Sequence, residues 1–202
     1  VVDHPEHGRI EGRIVEVEAY DGESDRASHA RFGRTDRNAV MYGEPGLAYL
    51  YLVYGMHTCL NVVTEPVGRP AAVLVRAVEV LAGETAARAL RLDREASLKR
   101  SRDDPVARAR IAARIGATPG ERLASGPGLV GAAFGLDRSM TGLDLCDPRS
   151  PVRLEADPIP TRSAVVASAR VGIAYAGQPW TSRPWRFAIA GNRSVSGPRT
   201  AA

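Results

Sequence analysis

Glu16 and Glu18 stand two residues apart in the run RIVEVEAY, Arg13 to Tyr20. A pair of carboxylates at that spacing suggests acid and base groups of the sort that cleave glycosidic bonds. Strict alternation predicts a strand with Ile14, Glu16, Glu18 and Tyr20 on one face and Val15, Val17 and Ala19 on the other. The ordinary reading of such a face is solvation, with the valines turned inward. Tyr20 on the same face, and the long polar connection that begins just after it, weigh against that ordinary reading.

A second group of residues has the makings of a base-binding surface. Tyr42, Tyr49, Tyr51 and Tyr54 fall within 13 residues of a chain that is only 5% aromatic. Aromatics in strands usually serve the core, but here their spacing separates roles. Tyr49 and Tyr51 share one face, whereas Tyr54 sits on the other beside the Gly55 turn, where it could project as a wedge. A stacking platform and an intercalating wedge are what an enzyme needs to hold an extruded nucleotide and fill its gap. Asn61 and Arg76 lie mid-strand among apolar residues, where an amide and a guanidinium must find partners. Each serves either a structural hydrogen bond or a pocket, the asparagine reading a base edge and the arginine holding a phosphate or orienting water. His29, in the loop, is unmarked by its neighbours.

The elements that would position these groups follow from local pattern. Strands are expected at Arg13–Tyr20, in LAYLYLVY ending at Gly55, at Thr58–Thr64 and at Ala71–Val80. The interval from Asp21 to Gly46 is polar and glycine-containing, a long connection of the sort usually reserved for function. Residues 83–122 read as an arginine-rich helical excursion, with Asp104 as cap and Pro105 at a first helical position. Another helix is expected in SGPGLVGAAFG, starting near Pro127, and strand-like runs return at VVASARVGIA and WRFAIAG.

Composition narrows the class. The 202 residues suffice for one sizeable core, giving one domain over residues 1–202. The formal charge is +4, and Lys99 is the single lysine among 27 basic residues. Arginine's planar fork suits phosphates and stacks on bases. From Ile159 onward there are six arginines and no acidic residue, so this half-lobe is expected to carry a positive field. Cys59 and Cys146 form no paired motif, and His4 and His7, expected on a solvated terminus, lack further ligands nearby, so no metal site is expected. No apolar run approaches a membrane span. A lyase would use an amine, usually lysine; Lys99 belongs to the helical excursion, so hydrolysis by water is favoured. The chain opens on VVDHPEHG, without a signal pattern, and VV reads like the inside of a strand, so an element preceding Val1 is expected.

The residues also resemble a known family, the alkyladenine (3-methyladenine, methylpurine) DNA glycosylases. RIVEVEAY is similar to that family's R-I-V-E-T-E-A-Y strand. It is followed in the same order by DRASHA, RNAVM and YLYLVYGMHTCLN, then by VLVRAVEVL, SGPGLVGAAFGL, ARVGIAYAG and PWRFAIAGN. The likeness covers almost all of the chain from Arg13 to Ser196. His57 stands where some members have an aromatic, and the Arg34–Asn38 interval is one residue shorter than the family's; both bear on substrate range.

The resemblance implies an α/β (α+β) single domain: a curved antiparallel β-sheet or open barrel with surrounding helices. It implies that Glu18 is the general base that deprotonates the attacking water, with Glu16 as neighbour. Tyr20, His29 and Tyr51 would sandwich a flipped base, and the backbone near Ala27 would hydrogen-bond to it. Tyr54 would be the wedge, Asn61 would exclude guanine by crowding its amine, and Arg76 would lie near the water and a backbone phosphate. The implied enzyme is a monofunctional glycosylase that starts base excision repair on duplex DNA. It needs no cofactor, acts as a monomer, and is expected in the cytoplasm, at the nucleoid in a bacterium. Arginines of the middle and C-terminal segments would hold phosphates. The rivals are a catalytically silent nucleic-acid-binding module and a carbohydrate hydrolase. For the latter, neighbouring carboxylates on one strand are awkwardly placed to flank a sugar.

Overall fold

A computed structural model describes residues 1–98, 104–156 and 164–197. Its frame is an open sheet of seven antiparallel strands: β1 (Val2–His4), β2 (Gly8–Asp21), β3 (Ala48–Val53), β4 (His57–Val63), β5 (Ala71–Ala82), β6 (Val165–Ser168) and β7 (Arg186–Ile189). The strand order is β3-β4-β5-β2-β7-β6, with β1 paired to β2. Three α-helices accompany it: α1 (Glu84–Leu98), α2 (Pro105–Gly116) and α3 (Pro127–Ala133). The expected strands and helices are all present, and the first runs longer than RIVEVEAY. The Val-Val start is β1, and His4 and His7 are not on a loose end: Val2 is buried and the Val1 ammonium donates to the Arg153 carbonyl at 2.9 Å.

Period-two alternation divides the sheet into two working faces. Ala48 and Leu50 of β3, Leu60 of β4 and Val75 of β5 join Ala87 and Leu90 of α1 and Val130 and Phe134 around α3 in the main core. Their neighbours Tyr49, Val63 and Ala72 pack on the other face against Ala30 and Met41 of the long connection. Helices therefore cover one face, and the connection from Asp21 to Gly46 covers the other. Its structure rests on polar anchors. The buried Asn38 amide donates to the carbonyls of His29 and Gly33, each at 3.0 Å, and its oxygen accepts from the Thr35 N–H at 2.7 Å.

Strand β2 departs from strict alternation where chemistry was expected. Ile14 pairs with Val78 and Glu16 with Ala77, so Val15 is an extra residue on β2; Val17 then pairs with Val75, leaving Arg76 as the extra residue on β5. Two opposed bulges re-aim side chains and restore register within a few residues. Consequently Ile14 is exposed while Val15 and Glu16 are both buried. The solvated-face reading is thus overturned: Glu16 and Glu18 are 1% and 0% exposed, and Val17 is only half-buried.

Helix α2 starts as its residues dictate. The Asp104 carboxylate accepts from the Val106 and Ala107 N–H groups at 2.9 and 3.3 Å, and Pro105 follows. Helix α3 lies directly on β4, because a Cβ at Gly131 would meet the Thr58 carbonyl oxygen at 2.1 Å. Gly131→Ala must push α3 off the strand, and is expected to cost about 1–3 kcal/mol. The check is the urea midpoint; an unchanged midpoint would show that the helix slides freely.

Candidate active site

Four charged side chains meet at the β2 bulge. The Glu16 carboxylate accepts from Arg76 Nε at 2.8 Å, Arg186 Nε at 2.6 Å and the Ser196 N–H at 2.6 Å. Burial pushes its pKa up, but these hydrogen bonds outweigh burial and hold it below the ordinary glutamate range. Arg76 turns its Nη1 to Glu18 Oε1 at 3.2 Å and its Nη2 to the Ser196 hydroxyl at 3.3 Å. Burial works against the Arg76 charge, yet Glu18 and Glu16 more than offset it, so its pKa rises. The Arg76 donors point inward and 8% of its side chain is exposed.

Glu18 differs from Glu16 in where its partners lie. Its Oε1 also accepts from the Val171 N–H at 2.7 Å, and its Oε2 from the Tyr20 hydroxyl alone, at 2.8 Å. Burial, and then the Glu18 charge, raise the Tyr20 pKa well above its ordinary value, so the hydroxyl remains a donor to the carboxylate. Oε2 therefore retains acceptor capacity, next to a pocket lined by Tyr20.

Ala27, His29, Tyr51 and Asn61 line the same pocket, as do Tyr49 and Tyr175. Thus the residues matched to base binding do converge. His29 stands edge-on to Tyr51 with ring centroids 4.3 Å apart, and its Nδ1 lies 2.8 Å from the Tyr49 hydroxyl. Asn61 combines both of its sequence readings, since its amide donates to the Tyr49 carbonyl at 3.1 Å while it faces the pocket. Tyr54 does not join them. It tips the β3–β4 hairpin, 87% exposed with φ +52°. Arg94 of α1 braces that turn through the Met56 carbonyl at 2.6 Å.

A larger cavity of about 730 Å³ is lined mostly by apolar groups such as Leu60, Val75, Val78 and Phe134. It contains none of the candidate residues.

Sequence reasoning missed the buried pair that anchors residues of the pocket wall. Arg170 binds Asp25 with both arms, at 2.5 and 2.9 Å, and donates to the Ala19 carbonyl at 2.9 Å. Its guanidinium lies 4.7 Å from the Tyr20 ring centroid. Asp25 in turn accepts from the Ala27 N–H at 2.9 Å. One ion pair thereby fixes Tyr20, the Ala27 backbone and, through the adjacent Val171 N–H, Glu18. An aspartate inside DRASHA and an arginine inside ARVGIA, 145 residues apart, carry no local sign of meeting.

The expected arrangement of arginines also changes. In the helical excursion Arg88 pairs with Glu84, Arg91 and Arg114 with Glu95, and Arg108 with Asp93. Toward the C-terminus Arg170, Arg186 and Arg193 pair with Asp25, Glu16 and Glu121, and Arg183 stacks on Trp180 and Trp185. Lys99, Arg162 and Arg199 lie outside the described residues. Among the described residues beyond Ile159, three of the four arginines have carboxylate partners on other segments.

The methylpurine-DNA glycosylase family model matches residues 1–193. The chain is 44% identical over 203 residues to a protein of Frankia casuarinae, covering 96% of this chain and 82% of that one. It is 43% identical over 180 residues to a protein of Methanocella arvoryzae, covering 89% and 76%. With a Nocardia farcinica protein it shares 42% over 199 residues, covering 95% and 80%. All three are provisionally named 3-methyladenine DNA glycosylases. An open antiparallel sheet with a carboxylate–arginine centre beside an aromatic pocket is the architecture in hand. The chain belongs to the methylpurine-DNA glycosylase family.

Two measurements probe this site. Arg170→Ala leaves Asp25 buried and unpaired, so a stability loss of about 3–5 kcal/mol is expected in denaturant titration; a loss under about 1 kcal/mol would deny the pair its anchoring role. Burial, then the Arg37 and Arg31 charges, bring His29 down from 6.5 to about 4. The unfolded chain then takes up this proton first as pH falls, so the neutral imidazole's contribution to stability is complete above 6.5 and is lost toward 4. The His29 imidazole NMR signals should titrate near 4 and not near 6.5.

Proposed function

We propose that this protein releases alkylated purines from duplex DNA by flipping the damaged nucleotide and hydrolysing its N-glycosidic bond with water activated by Glu18. The observation that carries this reading is the buried Glu18 carboxylate, held by Arg76, Tyr20 and Val171, beside a pocket walled by Tyr20, His29 and Tyr51. The family and the names of the relatives support methylated purines as the substrate class.

Alkylation at N3 or N7 makes a purine cationic and a good leaving group. Aromatic faces attract cations through the ring quadrupole. His29, neutral at physiological pH, adds a wall that does not repel the charge. Selection therefore starts from charge, and Asn61 presents an amide to the base edge at the pocket wall. Tyr54 enters the stack to fill the vacated position, at a modest cost because damage weakens pairing there.

In the hydrolysis, Glu18 takes one proton from water as the water oxygen bonds to C1′. The C1′–N bond breaks, its electron pair stays with the purine, and the positive charge on the base is neutralised. Arg76 stabilises the ionised form of Glu18 before transfer, and the Tyr20 and Val171 donors fix the carboxylate's orientation. Glu18 meets no solvent in the unliganded protein, so the water enters as the extruded nucleotide widens the pocket. Hydrolysis by water requires no covalent intermediate with an amine, and the protein works on DNA as a monomer.

The test is incubation with duplexes carrying 7-methylguanine or 3-methyladenine. Free base should appear while the strand remains whole until alkali is added, and borohydride should trap no protein–DNA adduct. Strand cleavage without alkali, or a trapped adduct, would replace hydrolysis by lyase chemistry. Tyr54→Ala should slow base release about ten-fold or more, an effect of about 1.4 kcal/mol per decade. Its stability should change by less than about 0.5 kcal/mol, since the ring is exposed.

A further inference from the structure

The loop between Arg26 and Arg37 concentrates four arginines beside the pocket. Arg26, Arg31, Arg34 and Arg37 make no ion pair with a carboxylate among the described residues. The Arg37 guanidinium lies 5.7 Å from the Tyr51 ring centroid, at the pocket itself. Next to Arg31, Phe32 is 82% exposed, a large apolar ring in water on the same loop as His29.

Arg31 joins Phe32 to the pocket. Its guanidinium carbon is 4.6 Å from the Phe32 ring centroid and 5.2 Å from that of Tyr175. Tyr175 lines the pocket, is 63% exposed, and donates its hydroxyl to the Ala27 carbonyl at 3.1 Å. A guanidinium shared between two rings is oriented before any ligand arrives, so less freedom is lost on binding. The arrangement offers an apolar ring and an unpaired cation side by side at the rim of the pocket. A nucleotide next to an extruded one presents the complement, an aromatic base face and a phosphate one bond system away.

We propose that Phe32, Arg31 and Tyr175 form a lip of the base pocket that grips the lesion-bearing strand beside the flipped nucleotide. Phe32 packs on the neighbouring nucleotide and Arg31 binds its phosphate. Tyr175 fixes Arg31 relative to the Ala27 loop. The lip deepens the glycosylase reading and rests on it for the identity of the strand, but its contacts are binding contacts. It differs from Tyr54, which enters the duplex from the β3–β4 hairpin.

The experiment measures binding of the full chain to a duplex carrying 2′-fluorinated 7-methylguanine, whose glycosidic bond resists hydrolysis, over a series of salt concentrations. Phe32→Ala should weaken binding about ten-fold, within the range of a lost base–aromatic stack, and Phe32→Tyr should restore it to within about two-fold. Arg31→Gln should make the log Kd against log salt slope shallower by about 0.9, one phosphate's share. Binding by Phe32→Ala within about two-fold of wild type, or a salt slope unchanged by Arg31→Gln, would overturn the lip. Phe32-dependent binding by a protein that releases no base would support the lip while sinking the hydrolytic reading, so the two fail separately.

Discussion

Two carboxylates and two guanidiniums buried within one bulge are the constraint around which this molecule is organised. Glu16, Glu18, Arg76 and Arg186 are each under 10% exposed, and none would be tolerated there alone. Arg76 touches both acids and Arg186 closes on Glu16, so the set is stable only as a unit. That unit ties β2, β5 and β7 at the centre of the sheet, and through the Ser196 N–H it also fixes the segment after β7. The division of labour between the acids follows from where their partners lie. Each acid has two partners on Oε1 and one on Oε2, but Glu16 is held by Arg76, Arg186 and the Ser196 N–H, whereas the Oε2 partner of Glu18 is Tyr20, a residue of the pocket wall.

Around this centre the two faces of the sheet do different work. The helix-covered face is a dry core of leucine, valine and phenylalanine that provides most of the burial. The other face is covered by an irregular connection whose own turns satisfy only part of its backbone. Asn38 and Asp25 satisfy further groups, and Arg170 pins Asp25 from the far end of the chain. A pocket built from a loop is thereby given the rigidity of sheet and ion pair. Several buried or interstrand arginines are neutralised internally, while Arg26, Arg31, Arg34 and Arg37 of the loop beside the pocket have no carboxylate partner among the described residues.

Much of this was legible in the residues. Alternation and turn signals located the strands from Ala48 to Ala82, and the Asp104–Pro105 pair marked α2. The family motifs brought Tyr20, Ala27, His29, Tyr51 and Asn61 to one pocket and Tyr54 to a separate tip. What escaped was set by long-range pairing. Alternation alone cannot show that Val15 and Arg76 are opposed bulges, and so it assigned Glu16 and Glu18 to a solvated face. Counting arginines by segment likewise could not show that Glu121, Asp25 and Glu16 pair with C-terminal arginines from distant positions.

The most direct measurement compares Glu16→Gln with Glu18→Gln, following both stability and single-turnover release of 7-methylguanine from a duplex. The account predicts that Glu18→Gln binds damaged DNA and releases no base, while Glu16→Gln is the less stable protein and still releases base below its unfolding temperature. Release by Glu18→Gln at the wild-type rate, or loss of release confined to a stably folded Glu16→Gln, would contradict it.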